Sequence, residues 1–374
     1  MRVSCPDYSD AFDPHAQTSA RDSGCKWISR DYLCLVYDDL VISAKIMVTE
    51  TYLSSFSKIQ QEINDMATAF ITHPSFLKHE MGAHHPECPQ RLQAVYDEFD
   101  RTGLIGRLDK IEAPLASREQ LAAAHNSDYV DSIFAAAPEY DYAYLDPDTA
   151  MNPHTLEAAQ RASGAVICGV DRVMSGESDN AFCAVRPCGH HATYDRAMGF
   201  CIFNNVAVGA AHALQAHKLD RVAILDFDVH HGNGTEDIFH DDERVMLCSS
   251  FQHPYYPGTG ANSGNAHIIA TPLSARCSGA EFRRAVDATW WPALARFQPQ
   301  LIIISAGFDA HADDPLAYLQ LHEDDYVWIT ERILDVADQF AGGRLVSALE
   351  GGYHFDALAR SAAAHVSALL RDAA

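Results

Sequence analysis

Residues 226–234 read "DFDVHHGNG" and follow the run "RVAIL" at 221–225. Six positions, Asp226 to His231, hold two carboxylates and two imidazoles. A continuous apolar run of this length suits a strand covered on both faces, as in parallel sheets. In open α/β sheets, ligands sit beyond the carboxyl ends of the strands, where the loops converge on one rim. The stretch therefore predicts a buried parallel strand that delivers metal-type ligands to that rim. Asp228 and His230 are two residues apart, so in extended chain they point to one side and can share an ion.

The same texture recurs around it. "AFCAV" at 181–185 leads into "RPCGHHA", "LIIIS" at 301–305 into "AGFDAHADDP", and "RLVSAL" at 344–349 into "EGGYH". Helical patterns alternate with these runs: "HPECPQRLQAVYDEFDRTG", "LEAAQRASGAVICGVDRVMSG", "NNVAVGAAHALQAHKL", "DDYVWITERILDVADQF" and "DALARSAAAHVSALLRD". Such alternation implies a parallel sheet wrapped by helices. Four strand ends thus aim His, Asp and Tyr side chains at one place, and Asp309 is the best third ligand beside Asp228 and His230. Two carboxylates and an imidazole with a position left for water is a catalytic zinc pattern. Fe²⁺ or Co²⁺ suits the same ligands.

The 51 acidic residues against 27 basic ones give a formal charge of -24. This repels phosphate backbones and argues against nucleic-acid binding. It favours cationic ligands such as lysine-bearing peptides or polyamines, and it serves solubility. The longest apolar runs, such as "LIII" at 301–304, fall far short of the roughly 20 residues a membrane helix needs. Ten cysteines are scattered, form no C-x-x-C and follow no signal peptide, which suits reduced, mostly buried thiols in a cytoplasmic protein. Residues 1–65 fit strand and helix equally and form an extension of unassigned structure. Met66 is a candidate alternative start, and 66–374 has no composition break, so it is expected to be one catalytic domain.

From about Met66 onward, "HPECPQRL", "RPCGHHA", "MGFCIFNNVAVGA", "DFDVHHGNGT", "YYPGTG", "SAGFDAHADDPLA" and "EGGY" occur in one order. Together they resemble the histone deacetylase and acetylpolyamine amidohydrolase superfamily, of the bacterial class II-like kind. The resemblance implies an α/β, arginase-like three-layer fold with an eight-stranded parallel sheet. It implies one Zn²⁺ per chain on Asp228, His230 and Asp309, with His191 as general base and His190 tuning the electrostatics; the reverse assignment of the two histidines stays open. By the same resemblance Asp226 pairs with His190 and helps bind a structural K⁺. Asn233 stands where several relatives have an aspartate facing the second histidine. Tyr353 matches a hydroxyl that donates to the substrate carbonyl. Gly199, Phe200 and Tyr256 match the walls of a channel for an aliphatic stem, with Gly199 leaving room for it, and Leu316 matches its rim.

The activity so implied is hydrolysis of the N6-acyl amide of acyl-lysine in proteins or peptides. Deacetylation of polyamines is the nearest alternative. Uncharged Leu316 weighs against it, while the acidic residues of "EYDYAYLDPDT" at 139–149 leave it open. A binuclear manganese ureohydrolase would need His311 to be an aspartate, so His311 reads as a loop residue. A non-catalytic acetyl-lysine binder should have lost Tyr353 or a metal ligand. A homo-oligomer is expected from relatives with short rim loops.

Overall fold

Apolar runs such as "VAILD" and "LIIISA" are buried along their whole length, so each can pair on both edges and carry helices on both faces. A computed structural model describes residues 68–371. The expected extension 1–65 and the candidate start at Met66 lie outside these residues.

The strands are β1 (Thr68–Thr72), β2 (Asp109–Glu112), β3 (Ala143–Asp146), β4 (Thr149–Met151), β5 (Asn180–Cys183), β6 (Val222–Asp226), β7 (Val245–Gln252), β8 (Ile268–Leu273), β9 (Leu301–Ala306) and β10 (Leu345–Leu349). The helices are α1 (Pro89–Arg101), α2 (Arg118–Leu121), α3 (Ser127–Ala136), α4 (Thr155–Ser175), α5 (Asn205–Ala216), α6 (Asn233–Phe239), α7 (Gly279–Phe297), α8 (Glu323–Val336) and α9 (Phe355–Leu369). Eight strands form one sheet in the order β2-β1-β5-β10-β9-β6-β7-β8, and every pairing in it is parallel. The chain thus has the α/β arrangement of a parallel eight-stranded sheet between helices. β3 and β4 make a separate antiparallel hairpin.

The four strands that lead into the histidine- and aspartate-bearing loops are consecutive neighbours, β5-β10-β9-β6, at the centre of the sheet. Their ends are level: Cys183 pairs with Ala348, Leu349 with Ala306, and Asp226 with Ser305. Adjacent strands in register release their loops side by side, so side chains far apart in sequence arrive at one point.

The apolar-run criterion passes over the edges. β2, "DKIE", alternates between half-buried and exposed positions, and β8 carries Pro272, which an edge strand tolerates because one side of its ladder is unpaired. α7 keeps Pro292 in its interior while burying Phe282, Val286 and Trp290. Among the described residues seven cysteines are free and five of those are buried, as expected for reduced thiols. No described helix is long and apolar enough to cross a membrane.

Candidate active site

Just past β6 the chain does not stay extended: residues 228–230 bend, with His230 N donating to Asp228 Oδ1 at 2.9 Å, and Asp228 and His230 still converge on one point. His230 Nδ1 lies 3.1 Å from Asp228 Oδ1 and 3.1 Å from Asp309 Oδ2. The free carboxylate oxygens are tied down by backbone donors. Gly351 N donates to Asp228 Oδ2 at 2.8 Å, and Val229 N to Asp309 Oδ1 at 2.9 Å. A Cβ at Gly351 would overlap the Asp309 carboxylate, so the "EGGY" loop can approach this closely only with glycine there.

The donor chemistry fits a divalent cation. One ligand atom from each of Asp228, His230 and Asp309 lies within 4.8 Å of the others, and all three residues are buried. Two buried carboxylates around one imidazole need a positive charge to offset their desolvation. Burial opposes an imidazolium, yet the hydrogen bonds His230 donates to Asp228 and Asp309 raise it to about 10. Burial and then repulsion from Asp228 push Asp309 up to about 7. Carboxylate, imidazole and carboxylate are a set that Zn²⁺ accepts with a coordination position to spare.

The tandem histidines stand beside this set with ring centroids 4.0 Å apart. His190 Nδ1 meets Asp226 Oδ2 at 3.0 Å, and its Nε2 lies 3.8 Å from Asp228 Oδ1. Burial disfavours charge on His190, but Asp228 and Asp226 outweigh it and hold the ring well above its ordinary range. His191 is the opposite case. Burial, followed by the charges of His190 and His230, holds it well below. Its Nδ1 donates to Asn233 Oδ1 at 2.7 Å, while Asn233 Nδ2 donates back to His191 O at 3.4 Å. Two imidazoles pushed apart in this way are the pattern from which acid and base roles arise.

Residues to which the motifs alone gave no role hold these loops. Glu350 Oε2 accepts from Gly189 N at 2.6 Å and His190 N at 3.2 Å, so the end of β10 orients the loop after β5. From α1, Arg91 donates to Gly352 O at 2.5 Å and to Glu350 O at 2.6 Å, and its guanidinium lies 4.7 Å from the Tyr353 ring centroid. Glu87 bridges Arg91 at 3.0 Å and Arg186 through two bonds of 2.6 Å, all fully buried. Asp314 Oδ2 accepts from Tyr353 N at 2.7 Å, and its Oδ1 accepts from Leu316 N at 2.9 Å. Every one of these charges sits inside a quoted motif. The available signal was an ionisable residue inside a motif, which must find a partner when buried.

Burial pushes the Tyr353 hydroxyl well above its ordinary range, so it stays a proton donor. Phe200 packs its ring edge-on against Tyr353 at 5.9 Å, and Tyr256 packs edge-on against His191 at 5.2 Å. Neither is a core residue: Phe200 is half-buried and Tyr256 is exposed. Gly199 has φ +57, and the space where a Cβ would lie is taken by the His191 ring, so this glycine admits the imidazole. Leu316 is half-buried, and its carbonyl accepts from Tyr255 Oη at 2.9 Å. His311 groups with His322 and Glu323 instead of joining Asp228, His230 and Asp309.

This is a deacetylase-like architecture suited to amide hydrolysis, and comparison with known proteins agrees. The family described as "Histone deacetylase domain" matches residues 85–369. The histone deacetylase-like amidohydrolase of Pseudomonas aeruginosa is 40% identical over 72% of this chain and 73% of its own. Histone deacetylase 14, chloroplastic, of Arabidopsis thaliana is 35% identical over 76% of this chain and 73% of its own. The crystal structure of the HDA15 HD domain superposes with a TM-score of 0.78 at 34% identity, covering 83% of this chain and 89% of that one. The chain belongs to the histone deacetylase family. It is a hydrolase.

Proposed function

We propose that the chain hydrolyses the N6-acyl amide of acyl-lysine side chains in proteins or peptides. The observation that carries this reading is the buried Asp228–His230–Asp309 set lying beside two histidines of opposite proton affinity. Names of relatives such as histone deacetylase-like amidohydrolase support the same substrate class. A zinc ion held by these three residues supplies Lewis acidity toward the amide carbonyl and toward water.

The protein's own groups do the rest. His191 keeps Nδ1–H on Asn233, so its Nε2 is the free base that takes a proton from the attacking water. That proton then passes from Nε2 to the departing amine. His190, whose Nδ1 is paired to the Asp226 carboxylate, is biased toward its charged form and stabilises negative charge as it develops. The Tyr353 hydroxyl donates to the carbonyl oxygen as it becomes an oxyanion, an interaction that strengthens along the reaction. Arg91 and Asp314 position that tyrosine from either side. Phe200 and Tyr256 would line the aliphatic stem, with Leu316 at the rim. Asp226 would also help hold a structural K⁺, a role checked by the dependence of stability on KCl against NaCl.

One observation favours acetylated polyamines as a second reading. The acidic β3–β4 hairpin reaches the channel, since Thr149 Oγ1 accepts from Phe200 N at 3.0 Å and the Asp148 carboxylate acts on Tyr256. The deciding experiment assays zinc-loaded protein against acetyl-, longer-acyl- and lactyl-lysine peptides beside acetylated polyamines. Turnover of peptides is expected. Turnover of polyamines alone would reverse the assignment.

A further inference from the structure

Far along α5 from the catalytic rim, three side chains converge on one point. Asp171 of α4 accepts from His212 Nε2 and from His217 Nε2 on the same oxygen, Oδ1, at 2.7 Å each. The two rings stand 5.6 Å apart, and one ligand atom from each residue lies within 4.8 Å of the others. Residues five apart do not share a helix face. They meet here because His217 is the residue that ends α5.

The helix begins next to Asn204, whose side chain reaches the tandem-histidine loop. At about 1.5 Å per residue, His212 lies about 12 Å and His217 about 20 Å further along.

A half-exposed carboxylate gains little from a second imidazole as a mere hydrogen-bond partner. Two imidazoles and a carboxylate are, however, the donors preferred by Zn²⁺, Ni²⁺ and Cu²⁺. Bonds of about 2.0–2.2 Å around such an ion set its donor atoms about 3.3 Å apart, so the side chains need to spread only slightly to admit one. The neighbouring cation does not compete: Arg172 is engaged by Asp109 at 2.7 Å and Glu177 at 3.1 Å. Asp171 and His217 also line a cleft of about 540 Å³ with Leu115, Ile167 and Cys168, which gives an ion a path from solvent.

We propose that Asp171, His212 and His217 form a second divalent-metal site, which takes zinc or another imidazole-preferring transition ion and clamps α4 to α5. The test takes untagged protein already holding one zinc, titrates it with Zn²⁺ alone, and counts the metal by calorimetry and elemental analysis. Wild type should bind a second equivalent that raises its melting temperature. The His212→Ala/His217→Ala double variant should lose it while keeping the first equivalent and the normal hydrolysis rate, which also shows that the variant is folded. The loss should exceed the about 10- to 100-fold that accompanies removal of an indirect partner. Asp171→Asn keeps both rings and should bind the second ion more weakly. Saturation of wild type at one zinc, or an undiminished second equivalent in Asp171→Asn or the double variant, overturns the site.

Discussion

His191 Nδ1 rests against the uncharged amide oxygen of Asn233 at 2.7 Å, whereas its neighbour His190 rests against a carboxylate. The two histidines thus differ by one charge at the same hydrogen-bond position. Replacing Asn233 with Asp would supply that charge. A carboxylate favours the imidazolium, so the His191 pKa rises and the base form is lost at higher pH. The acid limb of the kcat/KM profile should move up by about 1 pH unit or more. An unmoved limb in Asn233→Asp would remove His191 from the role of base.

Tyr353→Phe deletes one hydroxyl and leaves the ring against Phe200 and Arg91. Turnover should fall by about 10² to 10³ with zinc content unchanged. Near-normal kcat in a fully metallated variant would mean the hydroxyl does not reach the reacting carbonyl.

Glu87 is the anion between two fully buried guanidinium groups. Glu87→Gln leaves both uncompensated, and removing one partner of a buried pair costs about 3–5 kcal/mol. Urea denaturation should register that loss. Because Arg91 also grips the carbonyls of Glu350 and Gly352, kcat should fall at temperatures where the variant remains folded. Stability within about 1 kcal/mol of wild type would contradict the arrangement.

Two buried histidines outside the Asp228–His230–Asp309 set are held neutral. Burial lowers His125 to about 4, with its Nδ1 donating to Thr193 O and its Nε2 accepting from Asn204 N. Burial likewise lowers His365 to about 3, between the hydroxyls of Thr330 and Ser347. Unfolded histidine titrates near 6.5, so below that pH the unfolded chain binds more protons than the folded one. Their stabilisation is complete above about 6.5 and is lost as pH falls toward these lower values. Between pH 7 and 5 each should remove on the order of 2 kcal/mol. Denaturation of wild type and His365→Gln at both pH values checks this, since the variant should lose less on acidification.

The central strands and the convergence of Asp228, His230 and Asp309 beyond their ends were legible because buried parallel strands are continuous apolar runs, and the loop after each run opens with a short, chemically distinctive stretch. β6 with Asp228 and His230 is the clearest case. The edges were not, because β2 alternates half-buried and exposed positions and β8 contains Pro272. Nor were the residues that hold the site. Glu350, Arg91 and Asp314 act across separations such as the 261 residues between Arg91 and Gly352, and no local pattern encodes a partner that far away. Nor does the sequence show that the His191 ring fills the space beside Gly199, a position that only the folded chain supplies.

The order of strands also bears on how the chain is made. β10 is the last strand in sequence, yet it lies between β5 and β9. Until residue 349 has left the ribosome, those two strands have no partner along their facing sides, and unpaired strand edges are where nascent chains stick to one another. Synthesis of this protein thus carries a long window of exposure to chaperones. Release of a chain stopped short of β10 would yield two sticky half-sheets instead of a smaller enzyme.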